Sequence, residues 1–199
     1  MTLYALKPRF QELLRPLAER LGRAGVAPDQ LTWAALLLSL ATGALLAFFP
    51  ERRILLALLP AVCFLRLALN ALDGMVARAF NRSTRGGAFL NEFGDVVADL
   101  ALYLPLARIP GFPSTLVVLF ACGGVLAEFA GVLAALLAGE RRYDGPMGKS
   151  DRALLASFAA LLAAAGLAPP PLLALLFAAA LVGLAATVWR RSRIVFARG

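Results

Sequence analysis

Asn70-Ala-Leu-Asp-Gly-Met-Val-Ala-Arg-Ala-Phe-Asn-Arg-Ser-Thr-Arg-Gly-Gly-Ala-Phe-Leu-Asn-Glu-Phe-Gly-Asp95 lies between two strongly apolar runs. Residues three or four apart share a face of a helix. Asn70, Asp73 and Ala77 therefore share one face at the end of the first run, and Asn91, Asp95 and Asp99 share one on the second. The short connection lets the two faces meet, which gathers oxygen ligands without sulfur or imidazole. Such ligands suit hard cations, Mg²⁺ or Mn²⁺ first. Ionisable groups at membrane depth are costly and point to function. The competing reading is a structural polar network, with the acids paired to Arg66 or Arg78.

The surrounding chain sets the class. It has 199 residues, 61% of them hydrophobic, and a mean hydropathy of +0.79. Soluble domains are about half apolar, and here the excess is gathered in long runs. The expectation is an all-α, polytopic membrane protein made of one domain over 1–199. Six spans are predicted, at 31–49, 54–77, 88–107, 113–138, 152–168 and 170–189. Gly166-Leu-Ala-Pro-Pro-Pro171 forms the turn between the last two, because consecutive prolines cannot continue a helix.

Over 6–23, Phe10, Leu13, Leu14, Leu17 and Leu21 recur at helical spacing. This predicts an amphipathic helix, either in the membrane interface or docked on the protein's own cytosolic face. Pro16 is placed to kink it. Cys63 and Cys122 fall inside apolar runs and read as small buried hydrophobes. The absence of His excludes a His-based metal site or general base. No cleaved signal peptide is expected, since Lys7, Pro8 and Arg9 interrupt the N-terminal stretch.

The formal charge of +8 is distributed as topology and not as a nucleic-acid-binding stripe. Sixteen Lys and Arg fall before the first span or after the second, fourth and sixth; only Arg52, Arg53 and Arg108 fall in the opposite loops, and Arg66 lies within a span. This bias puts both termini and the opening stretch in the cytosol, with the chain in a bacterial cytoplasmic membrane.

Gly74 permits close approach of a ligand, Ala77 keeps the same face slim, and Arg78 is a planar donor suited to phosphate oxygens. Acids for a metal, slim positions and an arginine together suggest a pyrophosphate held through metal. Glu128, among Gly123, Gly124 and Gly131, reads either as packed and paired, with Arg66 as a candidate partner, or as lining a path for a second substrate; Gly124 and Gly131 mark close helix packing or a dimer face.

The spacing resembles the signature of the CDP-alcohol phosphotransferases, D-x2-D-G-x2-A-R-x8-G-x3-D-x3-D. Asn70 stands at the first Asp, followed by Asp73-Gly74, Ala77-Arg78, Gly87, Asn91 at the third Asp and Asp95 at the fourth. Both departures are Asp to Asn. Pro28-Asp29-Gln30-Leu31-Thr32 resembles the family's Pro-Asn-x-Leu-Thr, and Gly148-Lys149-Ser150-Asp151-Arg152 its Gly-Lys segment at the fifth span.

The resemblance implies an enzyme of phospholipid biosynthesis. Such an enzyme moves a phosphatidyl or similar substituted phosphate group from a CDP-linked donor, such as CDP-diacylglycerol, to an alcohol and releases CMP. It implies divalent cations at Asn70, Asp73, Asn91 and Asp95, with Asp95 as the base for the acceptor hydroxyl. It places Thr32, Gly74, Ala77, Arg78 and Gly87 against the CDP moiety, gives Lys149 and Arg152 a weaker claim on the acceptor, and implies a homodimer.

The asparagines leave three readings open. The donor phosphates complete the charge for a second cation; Glu92 or Asp99 stands in; or the site holds one metal or none and binds CDP-lipid without turnover. A transporter built on Asp73, Asp95, Asp99 and Glu128 is a further rival, disfavoured by the absence of internal repeats.

Overall fold

The computed structural model describes residues 7–197, which form seven α-helices and no strand. They are α1 (Lys7–Arg23), α2 (Pro28–Phe48), α3 (Arg53–Ala79), α4 (Arg85–Tyr103), α5 (Ser114–Ala138), α6 (Lys149–Ala164) and α7 (Pro170–Ala197), with a 3₁₀ turn at Leu104–Arg108. Leu6, at the start of the predicted amphipathic helix, and Arg198, among the counted charges, lie outside the described residues.

The helix boundaries follow local chemistry. Pro28 opens α2, where its missing N–H costs nothing, and the Gln30 side chain accepts from the Ala27 N–H at 3.0 Å. Asn81, with φ 52°, turns the chain at the end of α3. Thr84 caps α4 by accepting from the Gly87 N–H at 2.9 Å. Asp151 does the same for α6, accepting from the Gly148 N–H at 3.1 Å. Gly139, left-handed at φ 73°, ends α5.

Helix α2 packs on α3 and α4, α3 on α6, and α5 on α7. One apolar core, including Leu59, Leu102, Phe120 and Phe177, joins α3 to α7. A second, smaller cluster of Ala18, Leu31, Leu72 and Val76 fastens α1 against α2 and α3. Large apolar side chains such as Phe48, Phe64, Leu136, Leu175 and Val182 point outward, as expected where the solvent is lipid.

Four helices, α2, α3, α5 and α7, are long and apolar enough to cross a membrane. The six predicted spans correspond to six helices, but α4 carries Arg85, Glu92, Asp95 and Asp99, and α6 has only 16 residues. Their polarity and shortness come from the groups they bring to the centre of the bundle. The stripe predicted on α1 is divided. Leu14 and Leu21 pack against the second cluster, whereas Leu13 is 76% exposed. Cys63 is buried, but Cys122 is exposed on the outer face of α5, which corrects its reading as a buried hydrophobe.

Candidate functional site

The ends of α3 and α4 carry the opening stretch, and their polar faces meet. Two crossed pairs link them. The Asn70 amide donates to Asp95 Oδ1 at 2.6 Å, and the Asn91 amide donates to Asp73 Oδ2 at 3.0 Å. Thr32, from the first turn of α2, adds a 2.8 Å hydrogen bond to the same Asp73 oxygen. Lys149, the first residue of α6, forms an ion pair with Asp95 Oδ1.

Three donors thus converge on Asp95 Oδ1, the third being Arg66 at 3.4 Å. Among the described residues none donates to Asp95 Oδ2, and the Asp95 side chain is 21% exposed. It opens into a cavity of about 1280 Å³, lined also by Thr32, Asn70, Asp73, Gly74, Ala77, Arg78, Gly87, Asn91 and Lys149. Every residue that the sequence assigned to the CDP moiety or the signature lies on this one surface. Gly87 has a steric reason to be glycine, since a Cβ there would fall 2.7 Å from Asp29 Oδ1.

Asp99 and Arg152 are not on that surface; they form its floor. Arg66 and Arg152, both almost fully buried, take one oxygen each of Asp99, at 2.5 and 2.7 Å. Asp99 therefore has no free oxygen for the cavity. Arg152 continues to Glu128 at 3.0 Å, and Glu128 is also bound by Arg141 and Arg191 at 3.2 and 3.3 Å. Glu128 is thus packed and paired, with these three arginines and not with Arg66. Glu92 holds Arg141 at 2.6 Å and accepts from Tyr143 at 3.4 Å. Gly124 and Gly131 make room for this floor. A Cβ on Gly124 would lie 3.1 Å from Arg152 Nε, and one on Gly131 would strike Arg141.

The sequence reading did not anticipate Arg141 and Arg191 as partners of Glu128. Arg191 also donates to the carbonyls of Ala127, Tyr143 and Asp144 at 2.6, 3.2 and 3.1 Å, tying the loop before α6 to α5 and α7. Nothing local in sequence distinguishes it from the topogenic arginines beside it. In that loop Asp144 is half-exposed. Its slight burial raises the carboxyl, but the hydrogen bonds and charge of Arg142 outweigh this and hold it below the usual range.

Four carboxylates (Glu92, Asp95, Asp99, Glu128) and five cations (Arg66, Arg141, Lys149, Arg152, Arg191) form one connected ion-pair network, and Asp73 is held by the neutral donors Thr32 and Asn91. Among the described residues no three Asp, Glu, His or Cys side chains converge as a metal-ligand group. The cavity is lined by two carboxylates, Asp73 and Asp95, and two carboxamides, Asn70 and Asn91. Carboxylate and carboxamide oxygens are hard ligands of the kind that suit Mg²⁺ or Mn²⁺.

Comparison with known proteins agrees with this geometry. Escherichia coli inner membrane protein YnbA is 53% identical over 155 residues, 78% of this chain and 77% of that protein. Archaetidylinositol phosphate synthase of Pyrococcus horikoshii is 28% identical over 102 residues, about half of each chain. The crystal structure of Mycobacterium tuberculosis phosphatidylinositol phosphate synthase (PgsA1) with CDP-DAG bound matches with a TM-score of 0.73 and 23% identity, over 91% of this chain and 92% of that one. The same enzyme in complex with manganese and citrate matches at 0.72 and 23%, over 91% and 88%. At that identity the likeness is one of fold. The sequence model for CDP-alcohol phosphatidyltransferase matches residues 25–191, nearly the whole bundle and both crossed pairs. This integral membrane chain therefore belongs to the CDP-alcohol phosphatidyltransferase family.

Proposed function

We propose that this protein transfers a phosphatidyl-type group from a CDP-linked lipid, such as CDP-diacylglycerol, to an alcohol and releases CMP. One observation carries the reading. Asp95 is fixed through Oδ1 by Arg66, Asn70 and Lys149, while its side chain lines a cavity whose walls hold the family's nucleotide-contact positions.

In the reaction the acceptor hydroxyl gives its proton to Asp95 Oδ2. Its oxygen forms a bond to the lipid-bearing phosphorus, the bridging P–O bond breaks, and CMP leaves with the electron pair. Asp95 contributes position more than basicity, because its other oxygen is locked and its reach to the hydroxyl is set. Thr32, Gly74, Ala77, Arg78 and Gly87 form the CDP wall, with Arg78 supplying donors for phosphate oxygens. A divalent cation, Mg²⁺ or Mn²⁺, held by Asp73, Asp95 and the amide oxygens of Asn70 and Asn91, neutralises pyrophosphate charge when bound.

The excess of Lys and Arg at this end of the bundle supports a cytosolic active site. The 53% identity to an inner membrane protein supports the bacterial cytoplasmic membrane. A homodimer completes the reading, on the family resemblance.

Purified protein with CDP-diacylglycerol, Mn²⁺ and a panel of alcohols tests the proposal. CMP release is expected with at least one acceptor, and Asp95→Asn should abolish it while sparing donor binding. No release with any acceptor, together with retained donor binding, would establish a binding protein instead.

A further inference from the structure

We propose that Glu128 fills an anion site from within, so that the acceptor is an alcohol carrying no phosphate. The inference rests on the phosphatidyl-transfer reading for what an acceptor is, but one arm of its test needs no turnover.

Asp95 stands between two groups of helices. The residues given to CDP come from α2, α3 and the start of α4, whereas α5, α6, the loop between them and α7 line the remainder of the cavity. Asp95 Oδ1 touches both groups, through Asn70 of α3 and Lys149 of α6. With the donor against its own wall, an acceptor reaches Asp95 from the second group. There three guanidiniums converge on one carboxylate. Arg141, Arg152 and Arg191 bind Glu128 at 3.2, 3.0 and 3.3 Å, and the Glu128 side chain is only 13% exposed. Arginines gathered around one oxyanion are an arrangement that holds a phosphate. Here α5 itself supplies the oxyanion.

These arginines have no nitrogen to spare for a second anion. Arg152 gives Nε and one terminal nitrogen to Asp99 and Glu128, and the other to the Met147 carbonyl at 3.4 Å. Arg141 divides its three nitrogens among Glu92, Glu128 and the carbonyls of Glu128 and Arg142. Arg191 holds Glu128 and three carbonyls. The loop that they grip is also fastened to α7, where the Met147 N–H donates to Thr187 Oγ1 at 2.9 Å.

The other cations lining the cavity do not make up for this. Arg142 is paired with Glu140 and Asp144, and Lys149 with Asp95. Arg190 is exposed on α7. Arg78, in the last turn of α3, and Arg82, bonded to the Val26 carbonyl, belong to the donor's side. A phosphate on the acceptor side would meet Glu92, Glu128, Glu140 and Asp144 with their arginines already engaged, and unpaired like charge rejects it. Hydroxyl groups instead donate to the same carboxylates.

Matched acceptors test this on the purified full chain with CDP-diacylglycerol and Mn²⁺: glycerol against glycerol 3-phosphate, and inositol against inositol 1-phosphate. CMP release should be at least about tenfold faster with an unphosphorylated alcohol than with its phosphate ester. Binding is read separately by calorimetry with methyl phosphate, which has no alcohol to react, with and without CDP-diacylglycerol. Glu128→Gln takes the anion from the three guanidiniums and should bind methyl phosphate at least about tenfold more tightly than the native chain. Should that variant be too unstable to titrate, methyl phosphate should raise its melting temperature and leave that of the native chain unchanged. An ester used as well as its parent alcohol, or methyl phosphate acting equally on native chain and variant, would overturn the inference. A chain that rejects methyl phosphate until Glu128 is replaced, yet releases no CMP, supports the filled anion site and removes the transferase reading.

Discussion

Asp99 is a buried carboxylate between two buried arginines. Both its oxygens are bound by guanidiniums in a place where neither partner can reach water. Breaking a buried pair by removing one charge costs about 3–5 kcal/mol, because the other stays buried and uncompensated. Asp99→Asn should therefore lower the melting temperature in detergent sharply and empty the floor beneath Asp95. Thr32→Val is the milder counterpart. It removes one of two donors to Asp73 Oδ2 and should cost about 1–3 kcal/mol. It should also weaken CDP-diacylglycerol binding, measured on the same preparation. The residues of the opening stretch were legible from sequence because helical spacing alone brings them to one face. Of the floor, the sequence offered Arg66 as a partner for the acids, and Arg66 is found on Asp99 and Asp95; the joining of Glu128 to Arg141, Arg152 and Arg191 was not legible, because only helix packing brings them together. Arg191 in particular reads as one more basic residue at a membrane boundary until its three carbonyl partners are seen.

The helices owe their close approach to single positions. At Gly43 a Cβ would collide with the backbone carbonyl of Ala101, which cannot rotate away. Gly43→Ala should force α2 from α4 and destabilise by about 1–3 kcal/mol, as overpacking does. Gly86→Ala, in the first turn of α4 with nothing within 4 Å of the added atom, should be neutral or gain about 0.5–1 kcal/mol. Thermal melts of the two variants side by side separate packing from propensity. The loop between α5 and α6 responds to pH instead. The Asp144 carboxyl is held below its ordinary range by Arg142, so the loop's stabilisation is present above the unfolded value near 4 and is lost as pH falls through the lower folded value. Amide exchange in residues 139–148 should accelerate on acidification below about pH 4, and Asp144→Asn should remove that dependence. Sequence periodicity placed six helices where six are found, but it treated α4 and α6 as ordinary spans. Hydropathy averages over a window, whereas these two helices are defined by which few residues face inward.

At the scale of the whole molecule the arrangement is one-sided. The site, the floor and the arginine-rich loops lie at one end of the bundle, and the Arg52, Arg53 and Arg108 loops at the other. With Cys122 replaced by Ala, a membrane-impermeant thiol reagent should label Ser83→Cys and Ser150→Cys only from the cytosolic face, and Ser114→Cys only from the opposite one. The reverse pattern would invert the charge-based orientation. The floor also imposes an order on biogenesis. Glu128 emerges on α5, meets Arg141 soon after, and gains Arg152 with α6, but Arg191 comes only with α7. Until α7 inserts, Ala127 and the loop carbonyls lack their donor, and α5 lacks the partner it packs against most extensively. A nascent chain therefore cannot hold a finished site. A chain stopped short of α7 would leave Glu128 one guanidinium short and the carbonyls of Ala127, Tyr143 and Asp144 without this donor.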